Sequence, residues 1–381
     1  MTFSLNDRKS IIMIIVLSLM VYVPYIFSFN NMDSERNYWS GDSWWYMQIV
    51  ESMVQNGDLD MSNNIPASIH VNQDQLALSS QGYLAPKHGI FFPLVSIPFY
   101  LLFGDAGYPL FNLLLTIGIL IVMYLIIRVF FDEFISLSTT LIYAFTSVIF
   151  LYSYDYLSDL WSVLLILLGV NLILRRKYYT ASIFLALAVF AKITNVIWII
   201  PIYAFIGINL WKEHKRQFGI LAQKVFRITL IFSIMITPVL ASNYLIYGSP
   251  FTTGYQRIVS YSSNGSIVLL AHTNDFNKPF FHGLFTLLFS QKKGMLWDNY
   301  ILIFAVLGMV FSHQIKQTSM IILLLIIILL QIIFFSKYDY TLATEFGNRF
   351  LYLSIALSSV FTANFINILR KRLIYNPKIA H

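Results

Sequence analysis

The 381-residue sequence contains no cysteine, which rules out disulfides and thiolate-bound metal. It is also poor in charge: Asp, Glu, Lys and Arg make up 11% of it, against 57% hydrophobic residues and a mean hydropathy of +0.68. A water-exposed globular surface cannot be built from so few charges, so a soluble enzyme is excluded. Proline is sparse, at 11 residues, and long apolar runs therefore go unbroken. No internal repeat is detectable, so the inverted halves typical of many transporters are missing.

Apolar runs fill the space left by these absences. Segments such as 11–29, 111–127 and 320–335 approach the ~20 residues needed to cross a ~30 Å hydrocarbon core. Lipid offers backbone polar groups no partner, so these runs must be helices. Hydropathy places about ten spans, near 10–29, 108–127, 134–152, 159–174, 178–191, 193–211, 228–247, 295–312, 319–335 and 350–368. The first is too long for a cleaved signal and lacks a small-residue cleavage site, so it reads as an anchor. The predicted fold class is an all-α polytopic membrane protein forming a single transmembrane domain over 1–381.

Charge sets the expected orientation. With the N-terminus inside, the inner connections hold sixteen of the 25 bases, among them Arg175, Arg176, Lys177, Lys215, Arg216 and Arg370, and only four of the 18 acids. The inner side then carries +12 and the outer side −5, which together make the +7 of the whole chain. The positive-inside rule predicts cytoplasmic N- and C-termini in a cell (plasma) membrane. The bases at the inner face are expected to meet anionic membrane lipids, so the pI near 9.3 implies no nucleic-acid partner.

Two long connections, 30–107 and 248–294, fall on the expected outer side, and loops of that length are usually functional or disordered. Both are rich in aromatics, which argues for folded loops. In the first, Trp45, Ile49 and Met53 recur at helical spacing opposite Gln48, Glu51, Ser52 and Gln55. This predicts an amphipathic helix lying in the interface. Residues 90–103, interrupted by Pro93 and Pro98, read as a partly immersed helix on the same side.

Several charged residues gather on that side. Asp42 precedes the first-loop helix, where an aspartate can cap free N–H groups or act as an acid or base. Lys192 sits at the apex of the hairpin 178–211, near the outer interface, where a lysine is costly without a partner and usually functional. Asp155 and Asp159 are four residues apart; a turn role suits Asp155, while Asp159 is a candidate for acid–base work. Arg349 follows Glu345 by four residues, which allows either a local ion pair or a role in a site. Lys292 and Lys293 suit snorkelling at the interface. His70, His88, His272 and His282 show no metal-motif spacing, so a metal site would have to assemble from distant loops. Asn264-Gly265-Ser266 fits a glycosylation sequon and carries little weight alone.

Taken in order, the motifs resemble a known family. Ser40-Gly41-Asp42, Tyr46 and Gly57-Asp58-Leu59-Asp60 are similar to the first outer loop of the GT-C glycosyltransferases. The protein-mannosyltransferase and aminoarabinose-transferase-like branch is the nearer match. The likeness continues at Pro86-Lys87-His88-Gly89, Leu157-Ser158-Asp159-Leu160 and Ala191-Lys192-Ile193-Thr194-Asn195. It extends through Gly248-Ser249-Pro250-Phe251, Gly254-Tyr255 and Lys293-Gly294-Met295 to Glu345-Phe346-Gly347-Asn348-Arg349-Phe350.

The resemblance implies transfer of a sugar from a polyprenyl-phosphate carrier to a glycan, lipid or protein acceptor at the extracytoplasmic face, with inversion. It implies that Asp42 is the essential acid, acting as base or as metal or substrate ligand, with Asp159 as a second acid. Lys87, His88, Lys192, Arg257 and Arg349 are the candidates for the donor phosphate; Tyr46, Tyr83 and Glu345 are candidates for lining the substrate. Two departures stand out: Pro86 replaces a glutamate of the aminoarabinose-type relatives, and His88 replaces a proline. No cofactor is certain, and a divalent metal stays an open option. The alternative reading is a transporter or flippase of a lipid-linked substrate, which would place charges deep in several spans. A scaffold that kept the fold is a third.

Overall fold

The computed structural model describes residues 4–30, 41–64, 75–261, 267–269, 276–291, 294–315, 317–339 and 349–375. Among these, the helices in chain order are α1 (Leu5–Asn30), α2 (Gly41–Glu51), α3 (Phe91–Phe103), α4 (Gly107–Ile127), α5 (Glu133–Thr146), α6 (Val148–Leu151) and α7 (Ser158–Leu174). They continue as α8 (Tyr178–Ala191), α9 (Val196–His214), α10 (Phe218–Tyr247), α11 (Phe280–Phe289), α12 (Leu302–Val310), α13 (Thr318–Phe335) and α14 (Tyr352–Tyr375). Six segments are long and apolar enough to cross a membrane: Leu5–Ile26, Phe91–Ile127, Ile193–His214, Phe218–Tyr247, Thr318–Phe335 and Arg349–Leu373. Ser158–Leu174 and Tyr178–Ala191 are shorter apolar helices packed beside them. The chain is an integral membrane protein.

Helices occur at each of the ten expected spans, with two departures. The span expected at 134–152 breaks at Ser147, whose backbone is extended. Its hydroxyl donates to the Tyr143 carbonyl, and the freed Val148 N–H donates to the Asn299 side chain. The span expected at 295–312 is helical only over Leu302–Val310, at ~1.5 Å per residue about half a bilayer core.

The bundle holds together by close backbone approach and by buried polar contacts, because lipid supplies no hydrophobic drive between helices. α14 shows both. Its small polar residues Ser354, Ser358, Ser359, Thr362 and Asn364 are all buried. The Tyr143 hydroxyl of α5 reaches Ser358 and Thr362 at 2.9 Å each. Gln331 of α13 accepts from the Ser354 amide and hydroxyl, and the Asn364 amide donates to the carbonyls of Gly308 and Phe311. Ion pairs gather at the basic end of the bundle: Arg128 with Asp7, Arg370 with Asp132, and Arg176 with Glu213. The opposite end carries Asp42, Asp159, Lys192 and Arg349.

That second end also carries two short ribbons on the helical fold. β1 (Leu76–Leu78) pairs antiparallel with β2 (Leu84–Pro86), and β3 (Val259–Tyr261) with β4 (Ile267–Leu269). An Ala77–Ile258 bridge joins the two ribbons, so the two long loops meet. Each strand has three residues, too short for a period-2 pattern to stand out. α3 is a true helix that doubles back onto α4: Gly104 takes φ +58°, and a Cβ on Gly107 would lie 2.3 Å from the Phe99 carbonyl oxygen. Stacking of Tyr100 on Tyr108 and of Phe99 near Phe111 closes this corner. The first-loop helix is more deeply set than expected. α2 buries Trp45, Tyr46, Ile49 and Val50 and also Gln48 of the predicted polar face, and Ser52 of that face is buried in the turn that follows. Gln48 remains satisfied by donating to Glu51.

Gly308 tests the packing account. A Cβ there would sit 1.8 Å from the Phe361 carbonyl oxygen, so α12 and α14 touch only because this residue is glycine. Gly308→Ala should destabilise the protein by about 1–3 kcal/mol, seen as a lower melting temperature in detergent. Gly207→Ala, where a Cβ meets nothing within 4 Å, should change it little.

Candidate active site

Asp42 lies in the first turn of α2, where the helix N-terminus favours an anion. Among the described residues its carboxylate partners are side chains rather than the amides of its own helix. Arg349 donates from Nη2 to Oδ2, and His88 Nε2 lies 3.6 Å from Oδ1. Arg349 opens the short turn Arg349–Leu351 ahead of α14, so the hydrogen-bonded α14 fixes where its guanidinium begins. Glu345, its expected local partner, lies outside the described residues, as do His70, His272, Lys292 and Lys293.

Burial alone would raise the Asp42 pKa. The Arg349 guanidinium, with His88 and Lys87 behind it, outweighs that and holds the carboxyl well below the usual carboxylate range. His88 is nearly inaccessible, its Nδ1 3.0 Å from the Tyr255 hydroxyl and its Nε2 2.7 Å from Gln75 Oε1. Burial pushes its pKa down to about 4, overcoming the pull of Asp42, so the imidazole is neutral near pH 7. Tyr46 packs its ring 5.0 Å from that of His88 and shares a 2.8 Å hydrogen bond with Ser158. Ser43, beside Asp42, donates to Asp155, which sits in the turn before α7.

Lys192 has the kind of partner its depth calls for. It stands in extended backbone between α8 and the turn into α9, and its Nζ donates to Asp159 Oδ1 at 2.6 Å. Both Lys192 and Arg349 face the Phe350 ring, 5.1 and 5.3 Å from its centroid. Asp159, Lys192 and Arg349 line one small cleft whose other walls include Ser162, Trp198, Gln331, Phe335 and Leu353. Its lining mixes these charges with apolar residues, among them Val163 and Ile166 of α7 and Leu353 of α14.

Lys87 joins this group through backbone fit. A Cβ on Gly254 would lie 2.4 Å from the Lys87 carbonyl oxygen, so the second loop packs directly on the first. The Lys87 ammonium lies 5.5 Å from the Tyr255 ring centroid. Two candidates are placed differently. Arg257 donates to the Leu78 and Ser79 carbonyls and so ties β3 to β1. Tyr83 packs with Leu59, Ala77 and Tyr247, near the carboxylates of Asp58 and Asp60. Neither is brought into the Asp42–Lys192 group.

The donor set around Asp42 does not suit a divalent cation. No group of three His, Asp or Glu converges among the described residues, and the nearest charged neighbours of Asp42 are cations. Sequence reasoning did not single out Gln75, Ser43, Trp198, Phe350 or Gln331. Only Phe350, next to Arg349 in a quoted motif, carried any signal.

A family model for mannosyltransferases (PIG-M) matches residues 157–257, the stretch from Asp159 through Lys192 to Arg257. No curated protein matches the sequence. Solved structures with the same architecture include ArnT from Cupriavidus metallidurans bound to undecaprenyl phosphate. That alignment has a TM-score of 0.60 at 13% identity and covers 96% of this chain and 63% of that one. The oligosaccharyltransferase of Archaeoglobus fulgidus in its apo form gives a TM-score of 0.56 at 14% identity, covering 98% and 52%. Its complex with an inhibitory peptide and a dolichol-phosphate gives 0.54 at 13%, covering 97% and 51%. The fold is GT-C. The chain spans between half and two thirds of the length of these neighbours.

The neutral His88 makes a pH prediction. Its folded pKa, about 4, is below the unfolded value near 6.5, so the unfolded chain binds the extra proton between those values. Stability should therefore be level above pH 6.5 and fall as pH drops toward 4, by about 2–3 kcal/mol in all. Thermal unfolding in detergent at pH 7 and pH 5 should show the loss in the wild type and a smaller one in His88→Gln. An equal loss in both would mean that His88 is not buried neutral.

Proposed function

We propose that this GT-C protein is a membrane glycosyltransferase that moves a sugar from a polyprenyl-phosphate carrier to an acceptor at the extracytoplasmic face. The observation that carries this reading is that Asp159, Lys192 and Arg349, from three separate segments, line one cleft, and that Asp42, from a fourth, is bonded to Arg349. The surplus of bases at the other end of the bundle supports the assignment of sides. The match to a mannosyltransferase model and the undecaprenyl phosphate bound by the ArnT neighbour support the chemistry.

The reaction proposed is one inverting displacement. The acceptor hydroxyl oxygen attacks the anomeric carbon, the bond from that carbon to the phosphate oxygen breaks, and polyprenyl phosphate leaves with the electron pair. Asp42 takes the acceptor proton, and the ammonium of Lys192 and the guanidinium of Arg349 meet the charge that gathers on the departing phosphate. Lys87 adds a third positive charge nearby. Asp159 holds Lys192 in place until the phosphate arrives. Trp198 and Phe350 supply aromatic faces in and beside the cleft, suited to a sugar ring or a first isoprene unit.

The test is a panel of radiolabelled polyprenyl-phosphate sugars incubated with purified protein. Release of polyprenyl phosphate with one sugar and not the others is the expected result. Asp42→Asn should lower turnover by about 10²–10⁴-fold with the melting temperature retained. The double variant Lys192→Met/Asp159→Asn, which removes a pair and strands no charge, should raise the donor KM about tenfold or more. Near wild-type turnover by Asp42→Asn would remove Asp42 from the mechanism, and no release from any donor would overturn the assignment.

A further inference from the structure

The Arg349 guanidinium faces two places at once. Its Nη2 is bonded to the carboxylate proposed as base, and the same side chain lines the cleft proposed to receive the phosphate. A base clamped by a guanidinium is a weak one, because a proton must displace the ion pair before it can bind. We propose that Arg349 couples the two halves of the reaction: an anionic phosphate entering the cleft draws Arg349 off Asp42 and thereby arms Asp42 as the base. This deepens the functional reading above and rests on it.

Three features of the site support the exchange. First, the pair forms across the whole chain, between residues 307 positions apart, and joins the first turn of α2 to the turn that opens α14. It is therefore a contact between two separately anchored elements, and it can break without unravelling either. Second, among the described residues few other groups face Asp42. The groups facing it are Arg349, His88 and Lys87, with the phenols of Tyr46 and Tyr255 beyond. His88 is engaged by Gln75 and Tyr255 and is uncharged near neutral pH, so it does not replace the guanidinium as a counter-ion. Third, the donor's phosphodiester accepts the arginine fork through two oxygens and carries the same single negative charge as a carboxylate, so it competes for the same donor.

The consequence is an order of events. With the cleft empty, Asp42 is ionised but too weakly basic to take a proton from an acceptor hydroxyl. With the phosphate in place it becomes a stronger base and the acceptor can react. Arg349 on this account is a positioning residue for Asp42 as well as a phosphate contact.

Infrared difference spectroscopy tests the coupling without relying on turnover. The protonated carboxyl band of Asp42, identified by its loss in Asp42→Asn, is followed against pH in the free protein and with saturating undecaprenyl phosphate in detergent micelles; lipid binding is measured in parallel. In the wild type, saturating lipid should move the Asp42 titration upward by about one pH unit or more, a tenfold change in basicity. In Arg349→Gln the titration should already be raised without lipid and should move little when lipid is added. Arg349→Lys, which keeps the charge and loses the fork, should fall between. Lipid binding with no movement in the wild type would overturn the coupling. So would an equal movement in Arg349→Gln, because it would mean that the phosphate acts on Asp42 by its own charge. Failure of the wild-type protein to bind the lipid at all would overturn the functional reading, and the coupling with it.

Discussion

The contact between Asp42 and Arg349 is the constraint on which this end of the molecule turns. A carboxylate and a guanidinium, both largely withdrawn from water, stabilise each other only while both are held in register. That register is not local. On one side it depends on α2 being seated deep enough to bury Trp45, Tyr46, Ile49 and Val50. On the other it depends on α14, whose serines, threonine and asparagine bond to α5, α12 and α13. The glycine-to-backbone contacts at Gly308 and Gly254 serve the same end, by letting α14 and the two long loops approach closely. The bundle thus reads as the scaffold that brings position 42 to position 349.

The scaffold was largely legible in the sequence. Hydropathy and charge work on one dimension, and membrane helices are one-dimensional objects: an apolar run such as that of α13 has no other stable form in lipid. Where the pattern failed, the reason lay in the third dimension. Ser147 looks like any residue of an apolar run, and only Asn299, more than a hundred residues on, makes its extended backbone affordable by capping Val148. The three-residue strands of β1 to β4 are too short to show alternation, and their pairing depends on two loops that meet only in the folded chain. Gln48 and Ser52 marked a polar face that the fold then covered, because a neighbouring glutamate and the Asp58 carbonyl and carboxylate satisfy them.

The site was legible in its parts and not in its pairings. Asp42, Asp159, Lys192 and Arg349 could each be singled out as charges where charge is costly, but which acid meets which base could not. The i,i+4 spacing of Glu345 and Arg349 allowed either a local pair or a role in the site; Arg349 reaches Asp42, and Glu345 lies outside the described residues. Asp155 and Asp159 shared a spacing and separate in function: one accepts from Ser43, the other holds Lys192. Arg257 had the right residue type and the right loop, but it is spent on backbone carbonyls of β1 and the turn after it. Residue type sets what a group can do; only the fold decides what it is near.

The two ion pairs share a logic that the sequence could not express. Each cation facing the cleft, Lys192 and Arg349, has a carboxylate in hand. A lone ammonium or guanidinium at the edge of a hydrocarbon core would be destabilising and would turn away toward water, and the ammonium could also lose its proton. Carboxylate partners keep the cations charged and aimed while no anion is present. On the proposed function the cost is affinity, since an incoming phosphate would have to displace an existing partner at each of them. The gain, on the same proposed function, is that both cations are already charged and at the cleft when the phosphate arrives. A site built this way stores its electrostatics as internal pairs and exchanges them for pairs with the ligand, so binding and the preparation of the base become one event.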